Sequence, residues 1–119
     1  MPLIPLIALA ASLVFGTPIA LSETIEDEAT KNPETMAAYV RAYFVEDPIL
    51  ADIAWCESRM RQTDPEGNLF LGKIDHDDTG IMQINTRYHG KKAKELGYDL
   101  HSLGGNLAYA QYLYDKEGT

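Results

Sequence analysis

The stretch Leu69-Phe70-Leu71-Gly72-Lys73-Ile74-Asp75-His76-Asp77-Asp78-Thr79-Gly80-Ile81-Met82-Gln83-Ile84 decides the fold class. It follows the turn-rich run Asp64-Pro65-Glu66-Gly67-Asn68. One apolar segment comprises Leu69, Phe70, Leu71 and Ile74, and a second comprises Ile81, Met82 and Ile84. A polar tip, residues 75–78, separates them. Short apolar segments bounded by turn residues predict a small, irregular β-hairpin rather than another helix.

On both sides of this stretch the pattern is helical. Asn32-Pro33-Glu34 combines an N-cap, a proline at the first helical position and an acid in the first turn. Met36, Val40, Tyr43 and Phe44 then recur at helical spacing to about residue 45. Asp47-Pro48 repeats the start signal and predicts a second helix over 48–61. A third helix is expected over 87–96, with Gly97 as its stop. Ser102 caps a last helix whose apolar stripe is Leu103, Leu107, Ala110, Leu113 and Tyr114. The expected architecture is a mostly α domain of α+β type over residues 33–119, with one hairpin inserted between helices.

The chain has 119 residues, enough for one domain. Its net charge of −8 excludes a nucleic-acid binder, which needs a basic patch, and disfavours docking on anionic lipid. A hydrophobic content of 45% excludes disorder over the whole chain. The single cysteine allows neither an internal disulfide nor a multi-cysteine metal cluster.

Every charged side chain falls after Ser22. The apolar run 3–21 is interrupted by Pro5, Gly16 and Pro18 and ends in Ala20-Leu21-Ser22, a small-x-small pattern. Residues 1–22 therefore read as a cleaved signal peptide, although the n-region has no Lys or Arg. The expected destination is the periplasm, the cell envelope or the medium. The alternative is an uncleaved membrane anchor, since the run is long enough to span about 30 Å of hydrocarbon. Residues 23–32 read as a short acidic linker.

Glu57 is the first candidate for chemistry. Leu50, Ala54 and Met60 lie seven, three and three positions away, and Ile53 four, which is one helix face. A carboxyl on that face, near a helix C-terminus, meets both burial and the negative end of the helix dipole. Both effects disfavour its ionisation and suit a general acid. The alternative role is a surface Glu paired with Arg61 at i+4, worth a few tenths of a kcal/mol.

Cys56-Glu57-Ser58-Arg59, then Gly80-Ile81-Met82-Gln83-Ile84-Asn85, then Asn106-Leu107-Ala108, in that order, resemble the lysozyme-like superfamily. The likeness is greatest to lytic transglycosylase domains and covers about residues 36–117. It implies a cleft between the helices and the hairpin, with Glu57 as the single catalytic acid. It further implies a strand carrying Gly80, Met82 and Gln83 along the sugar cleft, Gly80 allowing close approach of a ligand. Asn106 would belong to the helix that closes the site. Met82 reads equally well as core, and Asn106 as a local helix-start residue. Two departures stand out. The region before Gly80 reads Ile74-Asp75-His76-Asp77-Asp78, where many such domains have a Ser. The family's Ala-Tyr-Asn motif after the last helix has no counterpart before Thr119, so the resemblance implies a domain truncated at its C-terminus.

The segment 78–85 also looks like the hairpin of animal-type lysozymes, which makes Asp78 a possible second carboxylate. A pair about 5–9.5 Å apart permits hydrolysis. Asp75, Asp77 and Asp78 read otherwise as solvated turn acids. A calcium loop starting at Asp75 lacks its acid at position twelve, which is Thr86. His76 has no His or Cys partner at ligand spacing, so no metal is expected. Cys56 reads as a small apolar packing residue, or as a thiol awaiting a partner outside this chain.

The resemblance thus implies an exported, monomeric peptidoglycan-cleaving enzyme that needs no cofactor and acts on glycan strands. Membrane contact enters only through an uncleaved leader. A lysozyme-type hydrolase using Glu57 and Asp78 is the second reading. A glycan-binding module without turnover is the third, and a membrane-anchored interaction protein the fourth.

Overall fold

The structure, a computed structural model, describes residues 32–118; the expected signal segment 1–22 and all of the expected linker except Asn32 lie outside the described residues. Four helices and one two-stranded antiparallel sheet make up this part. They are α1 (Pro33–Tyr43), α2 (Ile49–Ser58), β1 (Asp78–Thr79), β2 (Ile84–Asn85), α3 (Thr86–Leu96) and α4 (Leu103–Glu117). The α+β expectation, with a β element inserted between helices, holds at this level.

Local chemistry explains the helix ends. The Asn32 carboxamide accepts from the Glu34 and Thr35 amides at 3.0 and 3.5 Å, which satisfies two of the orphan donors of α1. Asn85 caps α3 through Tyr88 N–H, and Ser102 caps α4 through Gly105 N–H. Gly97 ends α3 with φ +86°, a conformation open to glycine without strain.

The second helix departs from expectation at both ends. Asp47 does not cap it; its carboxylate instead accepts from the Gln111 carboxamide on α4 at 3.0 Å. Helix α2 stops at Ser58 rather than 61, because Arg59 and Met60 are both left-handed, at φ 55° and 64°. Two consecutive non-glycine residues in that region cost about 1–2 kcal/mol each. The burial of Met60 beneath this bend and the hydrogen bonds of Ser58 offset that cost.

The core gathers Met36 and Val40 from α1 and Phe44 from its C-cap, Leu50, Ala51 and Ala54 from α2, and Leu103, Leu107, Tyr109 and Ala110 from α4. Ile81, Met82 and Ile84 enter the same cluster from the β region. Tyr98, Tyr109 and Tyr112 stack at centroid distances of 5.5–6.0 Å, with the Tyr109 hydroxyl 3.0 Å from His89 Nδ1. Burial, with smaller contributions from Tyr112 and Glu117, pushes the Tyr109 hydroxyl above its ordinary value of 10.0.

The β region is tighter than a single hairpin. Asp78 pairs with Asn85 and Thr79 with Ile84, so the chain reverses over 80–83. Thr79 also bridges Leu71 across a second reversal over residues 72–78. The resemblance implied a strand for Gly80-Ile81-Met82-Gln83; these residues form the turn instead.

Candidate active site

Helix α2 delivers Glu57 to one wall of a groove of about 350 Å³. Cys56, Arg59 and Arg61 line the same wall, and Asp75, Asp78 and Gln83 come from the β region opposite. Three predicted site residues, Glu57, Asp78 and Gln83, therefore open on one groove although 26 positions of sequence separate the first from the last. A larger depression, about 450 Å³, lies beside the end of α3 around Tyr98 and His101, and carries none of the predicted site residues.

Glu57 is exposed, not buried on the apolar face. The buried stripe of α2 runs through Leu50, Ala51, Ala54 and Ser58. At 3.6 residues per turn Glu57 lies about 75° from the centre of that stripe, on its margin. The premature helix end also removes Met60 from the face that the spacing assigned to it. Cys56 is likewise exposed and lines the groove, so it does not pack as a core residue.

The buried member of the Glu-Ser pair is Ser58, 1% exposed. Its hydroxyl donates its one proton to the Ile81 carbonyl at 2.7 Å, with the Ala54 carbonyl at 3.1 Å as a second, shared acceptor, and it accepts from Arg61 N–H at 3.0 Å. Ser58 thereby fastens the end of α2 to the 80–83 turn.

Two buried amides complete that fastening. Gln62 Oε1 accepts from Ile81 N–H at 2.9 Å while its Nε2 donates to the His101 carbonyl. Asn106, fully buried, accepts from Met82 N–H at 2.9 Å and donates to the carbonyls of Thr79 and Leu100 at 3.0 and 2.8 Å. Among the described residues no buried side-chain polar atom lacks a partner, as a stable polar cluster in a low-dielectric interior requires.

These contacts revise three expectations. Asn106 does not face the groove; its amide is consumed by the backbone behind it. Met82 is a core residue, 7% exposed. Gly80 is required for a close approach, but within the protein: at φ +72° a Cβ there would lie 2.6 Å from Asn106 Nδ2 and 2.7 Å from Gln62 Oε1. Ser58, Gln62 and Asn106 hold the turn from behind, and Gln83 is the turn residue that reaches the groove. Gln83 Nε2 donates to the Gly80 carbonyl at 2.9 Å.

The acidic residues are organised around Asn85. Its Nδ2 donates to Asp78 Oδ1 at 3.0 Å and Asp75 Oδ2 at 3.1 Å. Arg87 adds a 2.9 Å contact to Asp75 and a 3.8 Å contact to Asp77. The Asp75 carboxyl is held below its ordinary 3.8, chiefly by the Asp77 backbone N–H. Partial desolvation opposes this, and the Arg87 charge, the Asn85 amide and His76 reinforce it. Asp75 and Asp77 are thus turn acids paired with Arg87, and Asp78 is held by Asn85; Asp75 and Asp78 both line the groove. Among the described residues no group of three or more His, Cys, Asp or Glu side chains is placed to hold a metal ion, and no helix is long and apolar enough to cross a membrane.

The sequence gives Ser58 and Asn85 no role beyond their motifs, Arg61 only an i+4 pairing with Glu57, and Gln62 none. Ser58 was accessible from spacing, since it lies four residues from Ala54 and eight from Leu50. Gln62 acts across 19 and 39 positions and leaves no local signal, whereas Arg61 bonds Ser58 three residues back and Asn85 caps α3 through Tyr88 three residues on. Comparison with protein-family models, curated proteins and solved structures found no match.

Proposed function

We propose that the protein is an exported, lysozyme-like enzyme that cleaves peptidoglycan, with Glu57 as general acid and a lytic transglycosylase reaction. The observation that carries this reading is the groove itself: the Glu57 carboxyl at a helix end, with the Gln83 carboxamide and the Asp78 carboxylate on the opposite wall. A glycan strand laid there would displace water from Glu57, a condition that favours general acid catalysis.

In the proposed reaction Glu57 donates its proton to the oxygen of the β-1,4 bond between N-acetylmuramic acid and N-acetylglucosamine. The bond from that oxygen to the muramyl anomeric carbon breaks. The 6-hydroxyl of the same muramyl residue attacks the anomeric carbon, and its proton returns to the Glu57 carboxylate. The product carries a 1,6-anhydro end. No cofactor and no second carboxylate enter, and one protein copy suffices.

The position of Asp78 favours a second reading, hydrolysis. Asp78 is held by Asn85 and lines the groove that Glu57 lines, and in this reading it acts as base or nucleophile toward the anomeric centre.

Mass spectrometry of the products from purified peptidoglycan separates the two, because an anhydro end is one water lighter than a hydrolysed end. Transglycosylation predicts anhydro ends that persist in Asp78→Asn, with a modest loss of rate. Reducing ends, together with a loss of about 10²–10³ in that variant, would establish hydrolysis instead. Binding of glycan with no release of fragments by the wild type would overturn both and leave a binding module.

A further inference from the structure

The chain carries a net charge of −8, yet Arg59, Arg61 and Lys73 all line the groove that holds Glu57. Among the described residues none of the three forms an ion pair; the ion pairs there are Arg41 with Asp52 and Arg87 with Asp75 and Asp77. Glu57, Asp75 and Asp78 line the same groove, so its charges are mixed, yet among the described residues none of these carboxylates ion-pairs with the three cations.

Arg61 is the most constrained of them. Its backbone N–H donates to Ser58 Oγ at 3.0 Å, and its side-chain Nε donates to the Ser58 carbonyl at 2.7 Å. The guanidinium lies over the Phe70 ring, 4.3 Å from its centroid. One edge and one face of the fork are therefore fixed. The two Nη groups have no hydrogen-bond partner among the described residues. A planar guanidinium held this way has already lost much of its side-chain freedom, so it binds an anion at reduced entropic cost. Its geometry matches a carboxylate, which it can take through two parallel N–H···O bonds.

We infer that Arg61, supported by Arg59 and Lys73, forms a carboxylate-binding subsite that holds the muramyl side of the glycan beside Glu57. This inference rests on the glycan reading of the same groove. It names the part of the substrate that the groove distinguishes. N-acetylglucosamine is neutral, whereas each muramyl residue bears a lactyl carboxyl. That group is a free carboxylate in glycan stripped of peptide. In intact peptidoglycan it is amide-linked to a stem that carries carboxylates of its own. The shared ligand chemistry is a carboxylate hung from the muramyl C3 oxygen. Arg61 is a specificity residue here and takes no proton.

The test is equilibrium binding by calorimetry in a Glu57→Gln background, which slows consumption of the ligand. Three ligands are compared: neutral oligomers of N-acetylglucosamine, muramyl glycan stripped of peptide, and peptide-bearing glycan. The subsite predicts that an anionic glycan binds about tenfold tighter than the neutral oligomer. That preference should disappear in Arg61→Gln and shrink as salt rises. Preference for the stripped glycan identifies the lactyl carboxylate as the ligand; preference for the peptide-bearing glycan alone identifies the stem. Arg61→Lys, which keeps the charge but neither the fork nor the stack on Phe70, should retain less than half of the preference in free-energy terms. It also carries the test should Arg61→Gln melt early.

Equal binding of neutral and anionic glycans, or a preference that Arg61→Gln retains, overturns the subsite. Product formation by wild-type protein is followed separately. Absence of cleavage together with an Arg61-dependent carboxylate preference refutes the proposed enzyme and leaves the subsite standing.

Discussion

Replacing Asn106 by Ala should collapse the groove from behind without touching any residue that lines it. The substitution removes three hydrogen bonds, to Met82 N–H, the Thr79 carbonyl and the Leu100 carbonyl, all in fully buried surroundings. At about 1 kcal/mol of net contribution per bond the loss is about 3 kcal/mol, and the Met82 N–H left without an acceptor raises it toward about 5. Against a typical total of about 5–15 kcal/mol this is a large fraction. In a domain of this size it lowers the melting temperature by about 12 °C or more. Urea titration of both proteins gives the difference, and hydrogen exchange at the Met82 amide shows whether the loss is local. Asn106→Asp adds a sign test. The introduced carboxylate still accepts from Met82 N–H but opposes two carbonyl oxygens, so its folded-state pKa is raised. Its protonated form can donate to one of them, and the variant should gain stability as pH falls from about 7 to 4. A stability of Asn106→Ala within 1 kcal/mol of wild type, or no gain by Asn106→Asp on acidification, would refute the clamp.

Glu57→Gln should lower cleavage by about 10²–10⁴-fold while leaving the urea midpoint nearly unchanged, since the side chain is exposed. Full cleavage by a folded Glu57→Gln protein would remove Glu57 from the mechanism. Gly80→Ala should cost about 2–4 kcal/mol in a thermal melt, because its Cβ would press on Asn106 and Gln62 from a left-handed backbone. The Asp75 carboxyl prefers its charged form in the folded state, so its contribution is present above its ordinary 3.8 and is lost as pH falls through the lowered folded value. Melts between about pH 5 and 2 should therefore show an acid-driven loss in the wild type that is smaller in Asp75→Asn.

Local chemistry made part of this fold readable in advance. Asn32, Gly97 and Ser102 act within three residues of themselves, and each ends or starts a helix where the sequence places it. The Met36, Val40 and Phe44 stripe is likewise a single-helix property. What could not be read depends on the fold closing. The left-handed pair Arg59 and Met60 is tolerated because Ser58 and buried Met60 hold it, and no local propensity announces that. Glu57 lines the groove but is exposed rather than buried on the apolar face, because spacing fixes a face only to within a residue on either side. Asn106 and Met82 were drawn toward substrate by resemblance, while the packing uses both internally. Their partners lie 24 positions apart across the β region, beyond any spacing rule.

The clamp on the 80–83 turn also sets an order of events during synthesis. Its three side chains come from residues 58, 62 and 106, and the turn they hold lies between them in the chain. When residue 85 has emerged from the ribosome, Ser58 and Gln62 can already engage Ile81, but the Met82 amide and the Thr79 carbonyl still await Asn106. At about 5–20 residues per second the wait lasts about 1–4 seconds. Throughout it, the wall bearing Gln83 lacks its rear support. A nascent chain stalled before Asn106 would therefore display Glu57 without an assembled groove around it, and the groove would be completed by the last helix.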